Sequence, residues 1–156
     1  MIKTDISNGI LDALFGKRTL AAGSVTLLSG TCYIGLGLSG STPTVSGGNI
    51  IGFSEPSGGN YARKLIGIST QAGTQMMSSA ANAEIKNGEQ EIHFNECLAE
   101  DGWGEIGYLG VFTASSGGSP VLVGELVDAE GDPTTVTVAK NQVPLFRVNQ
   151  LKALIE

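Results

Sequence analysis

A chain of 156 residues with net charge −6 and nine Lys and Arg has the length of one domain. It lacks the clustered cations that displace counterions from phosphates, which argues against direct nucleic-acid binding. Charged residues are 15% of the chain, well below the usual ~25%, and no apolar run approaches the ~20 residues of a membrane span.

The predicted elements begin with a short amphipathic helix over 5–16. Ile6, Ile10, Leu11, Leu14 and Phe15 fall on one face at spacings of three and four, and Gly16 ends it. A helix this short needs a surface to pack on, in its own domain or a partner. The same stretch, MIKTDISNGILDALFG, carries no apolar core of a secretory signal. Beyond it the period changes to two. Ser24–Leu28 and Thr31–Leu38 read as strands, and residues 39–60, rich in Gly, Pro and Ser, as a long loop in which Ile50, Ile51 and Phe53 add at most a short strand. Tyr61–Ser69 alternates. Ala83–Ile85 and Gln90–Phe94 flank Asn87-Gly88, the strongest two-residue hairpin signal. Glu105–Thr113 is the clearest buried strand and forms a hairpin with Val121–Leu126 across Ser115–Ser119; Thr134–Val138, Leu145–Val148 and Leu151–Ile155 complete the set. Short strands with frequent turn signals and no strand–helix alternation predict a mainly β fold: an antiparallel β-sandwich, jelly-roll-like, with a short N-terminal helix. The domain reading is a single β-domain over 1–156, with the sandwich over 24–156.

Motifs that suggest chemistry weaken on inspection. Gly35-Leu36-Gly37-Leu38-Ser39-Gly40 matches a dinucleotide fingerprint, with Glu55 at the ribose spacing. The following STPTVSGGN cannot start the helix that holds a pyrophosphate. Asp128-Ala129-Glu130-Gly131-Asp132 lacks the ligand spacing of a calcium loop and reads as a strand-linking turn. Glu84, Glu89, Glu91, Glu96, Glu100, Asp101 and Glu105 contain carboxylate pairs, but with no spacing specific to a glycosidase. Cys32, Cys97 and the single His93 do not complete a zinc set, and the cysteines are expected as buried free thiols, with a disulfide between them as the alternative. Trp103, between two glycines, is expected as a core anchor; its alternative is a platform for a sugar ring. The expectation is therefore a protein with no catalytic residues, no metal and no cofactor.

Three segments in order carry a family resemblance: NGILDALFGKRTL leading to YIGLGLSGSTPT, then EPSGGNYAR, then DGWGEIGYLGVF followed by a Gly/Ser hairpin and VLVGEL. The chain resembles small phage virion proteins commonly labelled tail-fibre-like, over nearly its whole length. Its NIIGF before Glu55 and its ending FRVNQLKALIE depart from the pattern. The resemblance implies a non-enzymatic virion component (fibre, neck or capsid decoration) assembled in the host cytoplasm. It would act by packing against other virion proteins, as a homo-oligomer, a trimer or ring. The expected assembly residues are Ile6, Ile10, Leu14, Phe15, Glu55, Asn60, Tyr61 and Arg63. Gly58-Gly59-Asn60 allows a sharp turn. Arg63 has three open roles: an ion pair with Glu55, bonds to loop carbonyls, or a contact to a neighbouring subunit. The alternative function is a carbohydrate-binding module for host-surface glycans, with Trp103 or Tyr61 as the stacking surface.

Overall fold

The computed structural model describes residues 31–68, 84–88 and 90–154. The predicted helix over 5–16, with Ile6, Ile10, Leu14 and Phe15, and the predicted strand Ser24–Leu28 lie outside them. The fold is mainly β and antiparallel. Its strands are β1 (Thr31–Leu38), β2 (Thr44–Ser46), β3 (Asn49–Ile51), β4 (Lys64–Ile68), β5 (Glu84–Lys86), β6 (Ile92–His93), β7 (Gly104–Phe112), β8 (Leu122–Glu125), β9 (Val136–Val138), β10 (Leu145–Phe146) and β11 (Lys152–Leu154). The chain divides into two compact units: Tyr33–Lys64 with His93–Pro144, and Met1–Cys32 with Leu65–Ile92 and Leu145–Glu156.

The first unit is organised by β7. One edge pairs with β1, placing Tyr33 opposite Phe112, Gly35 opposite Gly110 and Gly37 opposite Tyr108. The other edge is shared: β8 pairs residues 108–111 and β9 pairs 104–106. Alternation sends Ile34 and Leu36 to one face, where they are buried with Ile106 and Val111. Between Gly37 and Leu38 the register shifts, because Leu38 pairs Ile106 while Gly37 pairs Tyr108. Gly107 is thus the extra residue of a bulge, which lets Ile106 join the core while Tyr108 stays on the opposite face. The predicted β7–β8 hairpin is present. The link from β8 to β9 is closed by Asp128, whose Oδ1 accepts from the Glu130 and Asp132 amides at 3.0 and 2.9 Å. The DAEGD motif is therefore a strand-linking turn.

The predicted long loop 39–60 contains a hairpin instead. β2 and β3 pair across Gly47-Gly48, whose φ of 57° and 79° suit a primed two-residue turn.

In the second unit the predicted hairpin at Asn87-Gly88 does not form. β5 pairs β11 and β6 pairs β10. Asn87 is fully buried, and its side chain acts as a staple. It donates to the carbonyls of Gln90 and Arg147 at 3.1 and 2.9 Å and accepts from the Leu151 amide at 2.9 Å. A buried amide with these partners is held by the C-terminal segment rather than by a local turn. The terminal FRVNQLKALIE, which departs from the family pattern, thus supplies β11. Among the described residues, Cys32, Ile66 and Ile92 are the buried apolar side chains of this unit.

Cys32 and Cys97 are both buried thiols. Burial pushes the Cys32 thiol up to about 12.

Candidate functional site

The strongest cluster of polar chemistry is built on a bare strip of sheet. Gly35 and Gly37 of β1 and Gly110 of β7 lie on one face. A Cβ on Gly35 would come within 2.5 Å of Glu55 Oε1 and 2.9 Å of the Phe112 ring. One on Gly37 would meet the Phe53 ring at 2.6 Å, and one on Gly110 would meet Phe112 and Phe53 at 2.8 Å. These glycines let two rings and a carboxylate lie directly on the backbone. Phe53 and Phe112 meet edge-on, with centroids 5.6 Å apart, a favoured aromatic geometry.

On this floor Glu55 and Arg63 form a forked ion pair. Arg63 Nη2 donates to Oε2 at 2.6 Å, and Nε lies 3.0 and 3.1 Å from the two carboxylate oxygens. Arg63 Nη1 donates to the carbonyls of Ala114 and Gly117 at 2.9 and 2.8 Å, gripping the β7–β8 turn. The guanidinium carbon sits 3.3 Å from the centroid of the Phe112 ring, a cation–π contact. Side-chain exposure is 4% for Arg63 and 21% for Glu55, so the pair is largely withdrawn from water and differs from a weak surface pair. Tyr61 closes the cluster. Its hydroxyl donates to Glu55 Oε1 at 2.7 Å and accepts from the Leu36 amide at 2.9 Å. Burial, then the hydrogen bond to the Glu55 carboxylate, raise the Tyr61 phenol well above its ordinary value.

The loop between these residues is shaped by Gly58, Gly59 and Asn60, all at positive φ. A Cβ on Gly59 would lie 2.4 Å from Ala99 Cβ and 2.5 Å from its amide nitrogen, so this position demands glycine. Asn tolerates the left-handed region, and the Asn60 amide donates to the Glu96 carbonyl at 3.2 Å. The Gly59 carbonyl accepts from the Leu98 amide at 2.9 Å and from Trp103 Nε1 at 3.2 Å.

Of the residues named from sequence, Glu55, Tyr61 and Arg63 come together, and Asn60 holds the turn between them. Two of the roles left open for Arg63 are present at once, the ion pair and the carbonyl bonds. Trp103 is 4% exposed and meets Tyr61 edge-on, at 86° between planes. These rings therefore do not make the exposed coplanar surface that a sugar platform at Trp103 or Tyr61 requires. Phe53, Phe112, Gly110 and the Ala114 and Gly117 carbonyls were not named as site groups from sequence. Gly35 and Gly37, two apart in a strand, were the available signal of a bare face. In the acidic run, Glu100 pairs with Lys140 and Glu105 Oε2 accepts from Ser39 Oγ at 3.2 Å. Among the described residues no group of His, Cys, Asp and Glu is placed to hold a metal ion.

Fold and cluster define a small antiparallel β protein whose buried charges brace its own loops. Residues 2–153 match the family model described as Podophage GP4 fiber I protein gp80, and the chain belongs to that family. It is thus a structural protein of the phage virion, associated with other virion components. No curated protein matches it.

Proposed function

We propose that the chain is a fibre subunit that acts by packing against further copies and other virion proteins, without catalysis. The observation that carries this reading is the closed Glu55–Arg63–Tyr61 cluster. Its polar atoms are engaged with one another, with an aromatic ring and with loop carbonyls. It therefore offers shape rather than reactivity. The family name favours the fibre over the neck or the capsid surface. In this reading Glu55, Asn60, Tyr61 and Arg63 serve assembly indirectly, by fixing the 53–63 loop and the β7–β8 turn. The contacts themselves fall on neighbouring exposed apolar positions. Val45 is 76% exposed and Val121 about half exposed, and the two line one groove that packing would cover. The assembly role expected for Ile6, Ile10, Leu14 and Phe15 is part of the same proposal, and those residues lie outside the described ones. Identical subunits close most simply into rings, and a trimer suits a fibre.

The test is the native mass of the purified chain, together with particles assembled with and without it. A homo-oligomer weakened by Val45→Asp, and particles lacking fibres when the chain is missing, support the proposal. A strict monomer that neither enters particles nor changes them refutes it.

A further inference from the structure

Asn87-Gly88 makes no hairpin, and the fibre reading gives it no role. Asn-Gly is also the dipeptide in which the next backbone nitrogen attacks the asparagine side chain most readily, because glycine has no Cβ to hinder the approach. In the folded chain every group of that reaction is engaged. Asn87 Nδ2 donates to the Gln90 and Arg147 carbonyls at 3.1 and 2.9 Å, and Oδ1 accepts from the Leu151 amide at 2.9 Å. The Asn87 amide donates to the Leu151 carbonyl, and the Asn87 carbonyl accepts from the Asn149 amide, both at 3.1 Å. The attacking group, the Gly88 amide, donates to the Lys86 carbonyl at 2.8 Å.

All of these Asn87 bonds except the one to Gln90 come from the C-terminal arm that carries β10 and β11. The arm itself is lightly held. β10 has two residues and β11 three, and over 145–152 no side chain is buried. Segments with few buried contacts open locally at less cost than global unfolding. Opening of the arm removes four of the partners that fix Asn87 and admits water to its side chain.

We infer that Asn87-Gly88 is a site of spontaneous deamidation gated by the arm: the closed arm protects it, and modification of an opened chain keeps the arm from closing again. This does not depend on the fibre reading. The Gly88 nitrogen gives up its proton to solvent and bonds to Asn87 Cγ. The Cγ–Nδ2 bond breaks, and Nδ2 leaves as ammonia, which closes a five-membered succinimide. Water then adds to either ring carbonyl and opens it to aspartate or isoaspartate. One water is consumed, one ammonia is released, and nothing is oxidised or reduced. Aspartate places a carboxylate oxygen where Nδ2 donated, facing the Gln90 and Arg147 carbonyls with no proton to offer. A buried charge without donors is strongly disfavoured. Isoaspartate lengthens the backbone at residue 87 and displaces the groups that Asn149 and Leu151 bind. Either product unfastens the arm.

The experiment ages the full chain in mildly alkaline buffer, native and in urea, and follows deamidation by mass-spectrometric peptide mapping. Mapping separates Asn87 from the chain's other Asn-Gly, Asn8-Gly9. Asn87 should deamidate at least about tenfold more slowly in the native chain than in urea, equivalent to ~1.4 kcal/mol of opening. Leu151→Pro, which removes the amide that Asn87 Oδ1 accepts from, should speed the native reaction by about tenfold. The deamidated chain is purified by its added negative charge and compared with Asn87→Asp by amide hydrogen exchange. In both, the Asn149 amide should exchange freely, while the Trp103 amide, bonded to the Val138 carbonyl, stays protected. The aged chain has folded before it is modified, so it answers even where Asn87→Asp fails to fold. The inference is overturned by equal rates in native buffer and urea, or by a Leu151→Pro chain that deamidates no faster. It is also overturned by an aged chain in which Asn149 keeps its protection, or in which Trp103 loses protection as well.

Discussion

Phe112 and Tyr108 stand on the same face of β7, yet their surroundings are opposite. Around Phe112 the face is sealed: Arg63 lies on the ring, and Glu55 and Tyr61 complete the polar cluster over glycine backbone. Around Tyr108 the face opens into grooves, and the adjacent Glu125 has no partner among the described residues. Buried polar groups need partners to avoid a desolvation penalty, whereas exposed ones are satisfied by water. One end of the strand thus specifies the fold, and the other is free to vary without unfolding the chain.

The comparison breaks most sharply at Arg63. Arg63→Ala leaves Glu55 as a partly buried carboxylate without its cation and frees two carbonyls. Removing one member of a buried pair costs about 3–5 kcal/mol, and the 21% exposure of Glu55 sets the expectation at the low end. Urea denaturation measures it. A loss under ~1 kcal/mol would mark the pair as an ordinary surface contact. The glycine floor comes next. Gly35→Ala forces a methyl against Glu55 and Phe112, and overpacking of this kind costs about 1–3 kcal/mol. Gly124→Ala on β8, where a Cβ meets nothing within 4 Å, is the control and should stay within ~0.5 kcal/mol.

Tyr61→Phe removes one hydroxyl from the sealed end. It leaves the Leu36 amide without its acceptor, a cost of about 1–3 kcal/mol. The same hydroxyl gives a pH signature. The Tyr61 phenol in the folded chain titrates above its ordinary value of 10.0. Its contribution is therefore complete below that value and falls as pH rises beyond it, because the unfolded chain loses the proton first. Cys32 adds a loss of the same sign, between its ordinary 9.0 and about 12. Stability measured from pH 8 upward (on the order of two units) should fall, and more gently in Tyr61→Phe. Equal slopes would remove Tyr61 from the account. The smallest effects belong to the open end: Tyr108→Phe and Glu125→Gln should change stability by no more than ~0.5 kcal/mol. A larger change would show that these groups brace the fold.

Local patterns were legible where local physics decides them. The alternation of Thr31–Leu38 and Glu105–Thr113 gave β1 and β7 nearly to their ends, and Ser115–Ser119 gave the hairpin to β8. The segment EPSGGNYAR announced a sharp turn through its glycines, and Glu55 and Arg63 as possible partners. What failed depends on distant contacts. Asn87-Gly88 has the composition of a hairpin, but Asn87 is captured by Arg147 and Leu151. Gly47-Gly48 does make a hairpin, hidden in a stretch so rich in turn residues that it read as loop. The YIGLGL glycines imitate a nucleotide fingerprint because glycine serves any close approach; here Glu55, Phe53 and Phe112 approach, from elsewhere in the chain. Nothing near Arg63 in sequence points to Ala114 and Gly117.

The central claim is that the sealed cluster shapes a subunit whose exposed surfaces do the assembling. A reconstruction of the intact phage particle at side-chain resolution tests it most directly. The account predicts this chain in a fibre, with Arg63 bound to Glu55, Ala114 and Gly117 of its own copy and neighbours seated on exposed apolar positions such as Val45. A particle in which Arg63 leaves Glu55 to bind another subunit, or in which the chain is absent from the fibre, would contradict it.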